Sequence, residues 1–267
     1  MIESVSRAMQ ILELLSDRPK GVTLTMAVTA LSMEKSAVSR ILATLQEQGY
    51  VVRDADSDMF RITLRFAGMA LRHIERIGIV EACMPALQQL ADATDELVQL
   101  AVISGGQSVY IAKAMGAQRV QALPLIGTSA ELHASAAGKL WLASLDEEEA
   151  LRLAIGRGLR KITSQTITTV GALRTELARI RKRGYASVQQ ELSEDMNAIA
   201  VPVLSAQSGE LVAAVVLSAP AFRKRMAQLE EQGPLVQACA QQLAPVLSVY
   251  RQEALAASLE LTQSLEK

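Results

Sequence analysis

Cysteine and histidine are scarce, with two of each in 267 residues. Cys83 and Cys239 stand far apart without CxxC spacing, so neither a zinc ribbon nor a dithiol motif is readable. His73 and His133 cannot supply a site of several histidine ligands, and no metal or cofactor is expected. Aromatic residues are 3% of the chain, too few for ranks of bases stacked on rings. Neither charge dominates: 27 Lys+Arg against 28 Asp+Glu give a formal net charge of -1, which excludes a strongly basic nucleic-acid coat. No apolar run reaches the roughly 20 residues of a membrane span. Glu3, Arg7 and Glu13 punctuate the first residues with helical spacing rather than a signal-peptide core. These absences predict a cytoplasmic protein with reduced thiols and no membrane partner. What is present is a half-hydrophobic chain long enough for two domains.

Helical periodicity fills the first third. Val5, Ala8, Met9, Ile11, Leu12 and Leu15 share one face over residues 4–16, which Arg18-Pro19-Lys20-Gly21 ends in a loop. A short helix is expected over 24–30 with Thr23 as N-cap. Another spans 35–48, with Val38, Ile41, Leu42 and Leu45 inward and Gly49 as C-cap. Residues 50–53 and 59–62 then read as strands around Asp54, Asp56 and Asp58, and helix resumes over 64–94.

Strand and helix signals alternate in the remainder. Strands at 98–104 and 108–112 flank Gly105-Gly106, a hairpin signal. Residues 134–145 are helical in pattern, and residues 144–147 have capping-box spacing for a further helix. A longer helix over 168–183 ends in Gly184; strands follow at 185–190, 198–204 and 211–218, then helix from Pro234 onward. The bounds are a first domain at 1–63, a linker helix at 64–80, a second domain at 81–251 and a helical tail at 252–267.

Short helices followed by a charged hairpin have the order of a winged helix-turn-helix, in which one helix supports another whose exposed face enters the major groove. Lys35, Ser36, Ser39 and Arg40 lie off the apolar stripe, near the start of the third helix. Lys35 and Arg40 suit phosphates or guanine edges, and the serines allow close approach. Thr23, Thr25 and Ala37 complete the candidate DNA-contact set on the helices. On the wing, Arg53 and Arg61 are the candidate contacts, while the Asp-rich tip repels phosphate and is expected in solvent. Residues 1–76 hold ten Lys+Arg and nine Asp+Glu, so binding depends on where charge sits. A small helical domain with ordinary solvated charges also fits this periodicity.

Lys35-Ser36-x-Val38-x-Arg40-Ile41-Leu42-x-x-Leu45, followed by Gly49-Tyr50-Val51, resembles the recognition helix and wing start of the IclR family of bacterial transcriptional regulators. The likeness continues through Leu132-His133-Ala134-Ser135-Ala136-Ala137-Gly138-Lys139, Thr166-Ile167-Thr168, and Arg181-x-Arg183-Gly184-Tyr185-Ala186. It ends with Ile199-Ala200-Val201-Pro202-Val203 and Ala213-Ala214, in order over residues 4–250. The resemblance implies an α+β chain: a winged helix-turn-helix, a linker helix, and a GAF-like effector domain whose mainly antiparallel sheet is flanked by helices. It also implies a homodimer or homotetramer on a palindromic double-stranded operator. This sequence departs from the family at Val28 (usually Ala), at Ser32 (usually the Gly of the turn) and at Glu34 (commonly Pro).

Positions matching the family's ligand contacts are Ala122, Ala130, Ala136, Ala137, Val188, Met196, Ala198, Val216 and Ser218. Members that bind small carboxylates carry an Asp, a Cys and two Ser among these positions. Here Val188, Ala198 and Val216 leave Ser218 as the one clear hydroxyl, which predicts a larger, more apolar organic acid such as an aromatic one. Backbone N–H groups at the start of the helix near 135–137 would hold its carboxylate. Small apolar residues at these positions also suit a plain core.

Other signals are weak. Ala136-Ala137-Gly138-Lys139-Leu140 lacks the first glycine and the Ser or Thr of a phosphate loop. Ser135 and His133 are two apart, with no GxSxG elbow, so His133 is read as structural, capping or hydrogen-bonding the pocket helix. Glu191, Glu194 and Asp195 read as a solvated loop, and the cysteines as buried small hydrophobes. The chain is therefore expected to be a ligand-responsive DNA-binding regulator without catalytic residues. The alternatives are an enzyme turning over a small molecule, its first domain serving only in association, and a dimerisation scaffold.

Overall fold

Three apolar stripes build the first core. In the computed structural model, which describes residues 2–104, 107–118, 126–127 and 131–265, they lie on α1 (Glu3–Ser16), α2 (Leu24–Leu31) and α3 (Lys35–Glu47). Ile11, Leu12, Leu15, Ala27, Val38 and Leu42 are buried together. The antiparallel wing, β1 (Val51–Arg53) and β2 (Phe60–Ile62), adds Val51 and Phe60 to this core. Val22 also bridges Phe60, a pairing that periodicity did not show. Phe66, on α4 (Leu64–Ile77), packs on the same core and edge-on against Tyr50. Leu64, Met69 and Leu71 on α4 stay exposed.

The helix expected across 64–94 is interrupted. Gly78 adopts φ 68°, a left-handed conformation that a Cβ disfavours, and α5 (Ile79–Thr94) starts after it. The chain divides there into two compact units, Met1–Ile77 and Gly78–Lys267.

The second unit holds a five-stranded sheet made of β3 (Leu97–Ser104), β4 (Gln107–Met115), β5 (Ala186–Gln189), β6 (Met196–Leu204) and β7 (Leu211–Pro220). Its order is β4-β3-β7-β6-β5, and every pairing is antiparallel. Val98, Leu100, Val215 and Leu217 face α5 and α10 (Gly233–Leu265), where Leu87, Leu90, Val236 and Leu243 complete a core. Ala101, Ala200, Ala214 and Val216 face the other way, toward α6 (Ala136–Ser144), α7 (Glu147–Arg157) and α8 (Val170–Arg183). With both faces covered, the strands read as nearly continuous apolar runs.

One irregularity governs which β4 side chains face α6. Leu100 pairs with Ala112 but Ala101 pairs with Tyr110, so Ile111 is an extra residue on β4. Tyr110 thereby joins the α6 side, while Ala112 and Ile111 belong with α5 and α10. Two further details differ from expectation. Asp146, not Ser144, caps α7 by accepting from Glu149 N at 2.9 Å. A five-residue helix, α9 (Met226–Glu230), precedes α10, too short for a periodic signal. The class is α+β, a winged helix-turn-helix followed by an antiparallel sheet with flanking helices. Among the described residues no helix is long and apolar enough to cross a membrane.

Ser32 ends α2 at φ 51°, where a side chain crowds the backbone. Ser32→Gly is expected to stabilise the first unit by about 1 kcal/mol, raising its thermal midpoint by about 4–8 °C in calorimetry.

Candidate nucleic-acid and effector sites

α3 presents its cations because its other side is fully used. Val38 and Leu42 are buried, and they turn Lys35, Ser36, Ser39 and Arg40 outward as one exposed group. Among the described residues neither Lys35 nor Arg40 forms an ion pair. Ala37 separates from this group: at 9% exposure it belongs to the core side of α3. Glu34 sits at the N-cap without a capping bond, leaving its carboxylate exposed beside the start of α3. Thr25 is exposed, whereas Thr23 is half-buried with its hydroxyl engaged by Met26 N at 3.2 Å.

The wing tip is not simply left in solvent. Asp54 Oδ2 lies 2.6 Å from Arg61 Nη2, and Asp58 Oδ1 lies 2.8 Å from Arg53 Nη2. Two of the three tip aspartates fold back onto the arginines expected to touch DNA, and Asp56 stays exposed. Asp54 also accepts from Ser57 N and Oγ, and these bonds, helped by Arg61, hold its carboxyl below the usual carboxylate range. Arg53 further stacks over the Phe60 ring, 5.4 Å from its centroid. Exposed pairs of this kind are weak, so phosphates can compete for both guanidinium groups.

On the second unit, Ala136 and Ala137 open α6 and are buried against the sheet with Val188 and Val216. Ala198 and Ser218 are direct cross-strand partners, as are Val188 and Ala198. Met196 begins the same strand as Ala198 and is half-buried. Seven of the nine expected effector positions therefore lie on one sheet face or at the start of the helix packed on it. Ala122 and Ala130 lie outside the described residues.

The shared motifs turn out to hold α6 in place. Ser135 is its N-cap, accepting from Gly138 N at 3.1 Å. A Cβ on Gly138 would come within 2.6 Å of Leu132 Cα, so only glycine permits this close approach. His133 does not cap the helix; its Nε2 meets the Arg160 carbonyl at 2.9 Å. Arg181 donates to the carbonyls of Ala143 and Leu145 at the far end of α6, both at 3.0 Å. Thr166 donates to the Glu191 carbonyl at 2.7 Å.

Sequence reasoning missed the ion pair at the centre of this arrangement. Lys139 is fully buried and its Nζ lies 2.5 Å from Glu191 Oε1, whose side chain is 10% exposed. Glu191 is thus not part of a solvated loop, although Glu194 and Asp195 are exposed. Burial pushes the Lys139 ammonium down and the Glu191 carboxyl up, opposed in each case by the partner's charge. A lone lysine within the apolar run of α6 was the available signal. The cysteines are buried as expected, and burial pushes both thiols up to about 11. Among the described residues no His/Cys/Asp/Glu group could hold a metal.

Residues 4–55 match the family model for the IclR helix-turn-helix domain, and residues 71–245 match the one described as bacterial transcriptional regulator IclR C-terminal. The chain belongs to the IclR family. It is 31% identical over 246 residues to the HTH-type transcriptional regulator BhcR of Paracoccus denitrificans (strain Pd 1222), covering 91% of this chain and 86% of that relative. The IclR transcriptional regulator of Alicyclobacillus acidocaldarius has the same fold, with a TM-score of 0.78 at 23% identity over 93% of this chain and 99% of the other. So does an IclR homolog from Microbacterium hydrocarbonoxydans complexed with 4-hydroxybenzoate, with a TM-score of 0.71 at 22% identity over 92% and 99%.

Removing one member of the buried IclR-domain pair strands the other. Lys139→Met is expected to cost about 3–5 kcal/mol in urea denaturation, and the double variant Lys139→Met/Glu191→Met to recover most of that loss.

Proposed function

We propose that this IclR-family chain is a non-enzymatic, cytoplasmic transcriptional regulator that binds a palindromic operator as a dimer or tetramer and responds to a small organic acid. The observation that carries the DNA half is the uncovered row Lys35, Ser36, Ser39 and Arg40 on a helix anchored by Val38 and Leu42. Such a row fits the major groove, and Arg53 and Arg61 flank it from the wing once phosphates displace Asp58 and Asp54. Two copies would set their recognition helices about 34 Å apart, one helical turn of DNA. Ile2 at the N-cap of α1, Val5 and Met9 on α1, and Leu64, Met69 and Leu71 on α4 are exposed apolar residues that contact between copies would cover.

The organic-acid half is supported by α6. Its first N–H groups, at Ala136 and Ala137, lack intrahelical acceptors, and these two residues pack in one apolar cluster with Val188 and Val216. An acid bound there would shift operator affinity by its differential affinity for the two states of the regulator. The 4-hydroxybenzoate held by the Microbacterium homolog is a ligand of the same class.

Fluorescence anisotropy with the DNA upstream of the chain's own gene tests the first half. Binding is expected to weaken steeply with salt, and Lys35→Ala or Arg40→Ala to weaken it about tenfold or more. Absence of salt-sensitive binding, together with turnover of a candidate ligand, would overturn the regulator reading. For the second half, thermal-shift screening is expected to show stabilisation by aromatic acids; stabilisation by short-chain acids alone would reject a large apolar effector.

A further inference from the structure

The effector-facing side of the sheet is less apolar than its family-aligned positions indicate. Strand register places Gln99 opposite Val216, Ser218 opposite Leu97, Tyr110 opposite Ala101 and Ser108 opposite Ile103. Opposite residues of a pair project to the same face, so these four share the side that carries Ala101 and Val216. They form a diagonal seam across β7, β3 and β4, with successive members about 7–8 Å apart as diagonal or same-strand neighbours. The extra residue Ile111 is what turns Tyr110 and Ser108 to this face.

All four side chains are buried: Ser218 is 8% exposed, Gln99 7%, Tyr110 9% and Ser108 0%. None of them makes a side-chain hydrogen bond among the described residues, and the Ser108 hydroxyl is fully enclosed without a partner. Burial pushes the Tyr110 phenol up to about 12, so it stays a neutral donor. Buried polar groups are ordinarily paired, because an unpaired one has lost its water for nothing. Four on one face, one of them a fully enclosed hydroxyl without a partner, call for a common partner. The seam is neutral along its buried length; Lys113, in register with Gln99 on the edge strand, is exposed.

We propose that this seam, with Gln99 and Tyr110 at its centre, reads a neutral hydroxyl or oxo substituent on an effector whose carboxylate rests at the start of α6. The proposal rests on the organic-acid reading above and adds to it a specificity-determining contact. Gln99 offers both a donor and an acceptor, so it accommodates a hydroxyl or a carbonyl. Tyr110 and Ser218 flank it and supply the second bond of the substituent. A site built around such groups rejects the analogue that lacks them, because its own polar atoms are then left unpaired.

Isothermal titration of the full chain with two matched pairs tests this: benzoate against 4-hydroxybenzoate, and hexanoate against 6-hydroxyhexanoate. In at least one pair the hydroxylated acid is expected to bind tenfold or more tightly. Gln99→Leu is expected to bring that ratio close to one, in part by tightening the binding of the plain acid, which no longer leaves the amide unpaired. Tyr110→Phe removes a single oxygen and is expected to cut the ratio severalfold, which keeps the test valid if Gln99→Leu does not fold. Acids that bind with a ratio near one in the unmodified protein, or with a ratio unchanged in both variants, would overturn the seam while leaving the organic-acid reading intact. Failure of all four acids to bind would overturn both.

Discussion

The Lys139–Glu191 pair sits in the interior of the second unit, and the effector half of the molecule is organised around it. Two ions in that position must be held close or one of them becomes a large liability. The pair ties the middle of α6 to the segment after β5, and Thr166 secures the same segment through the Glu191 carbonyl. Ser135 and the close approach at Gly138 fix one end of α6, and Arg181 fixes the other. A helix pinned at both ends and in the middle cannot slide. Its first N–H groups therefore keep their direction whether or not an anion is present, which is the pre-organisation that binding a small charged molecule needs.

The DNA-facing unit solves a different problem with charge. Its cations on α3 are free, while those on the wing are held by Asp58 and Asp54. On the function proposed above, the helix would offer contacts that need no rearrangement, and the wing contacts that must first exchange partners. On that proposal, phosphates would displace Asp58 and Asp54 from the wing arginines once α3 enters the groove. Reliance on a few placed cations agrees with a chain whose total charge is close to zero.

Much of this was legible from residues alone. The helices α1, α3 and α8 have an apolar stripe and a clear stop, and their predicted bounds fall within two residues of those found. The order of strands after Gly184 was equally plain, because each is a β-branched or alanine-rich run bounded by turn residues. The break at Gly78 was not, since an isolated glycine in a helical pattern is usually tolerated. Glu191 was misread through its neighbours Glu194 and Asp195, because adjacency in sequence says nothing about a lysine 52 residues away. The seam was overlooked for a similar reason. Gln99 and Ser108 lie in strands that end in register only after the sheet forms, and their family-aligned neighbours drew attention elsewhere.

The extra residue on β4 has an evolutionary consequence. In a sheet covered on both faces, a run such as Gln107–Met115 shows the same alternation of burial on either side of Ile111, so the slip leaves no trace in the hydropathy pattern. Ironing it out without changing any amino acid would turn Val109 and Ile111 toward α6 and send Tyr110 and Ser108 to the opposite core. A shift of strand register can therefore exchange a polar lining for an apolar one without any substitution on β4. Comparing such regulators column by column, one substitution at a time, would pass over such a shift.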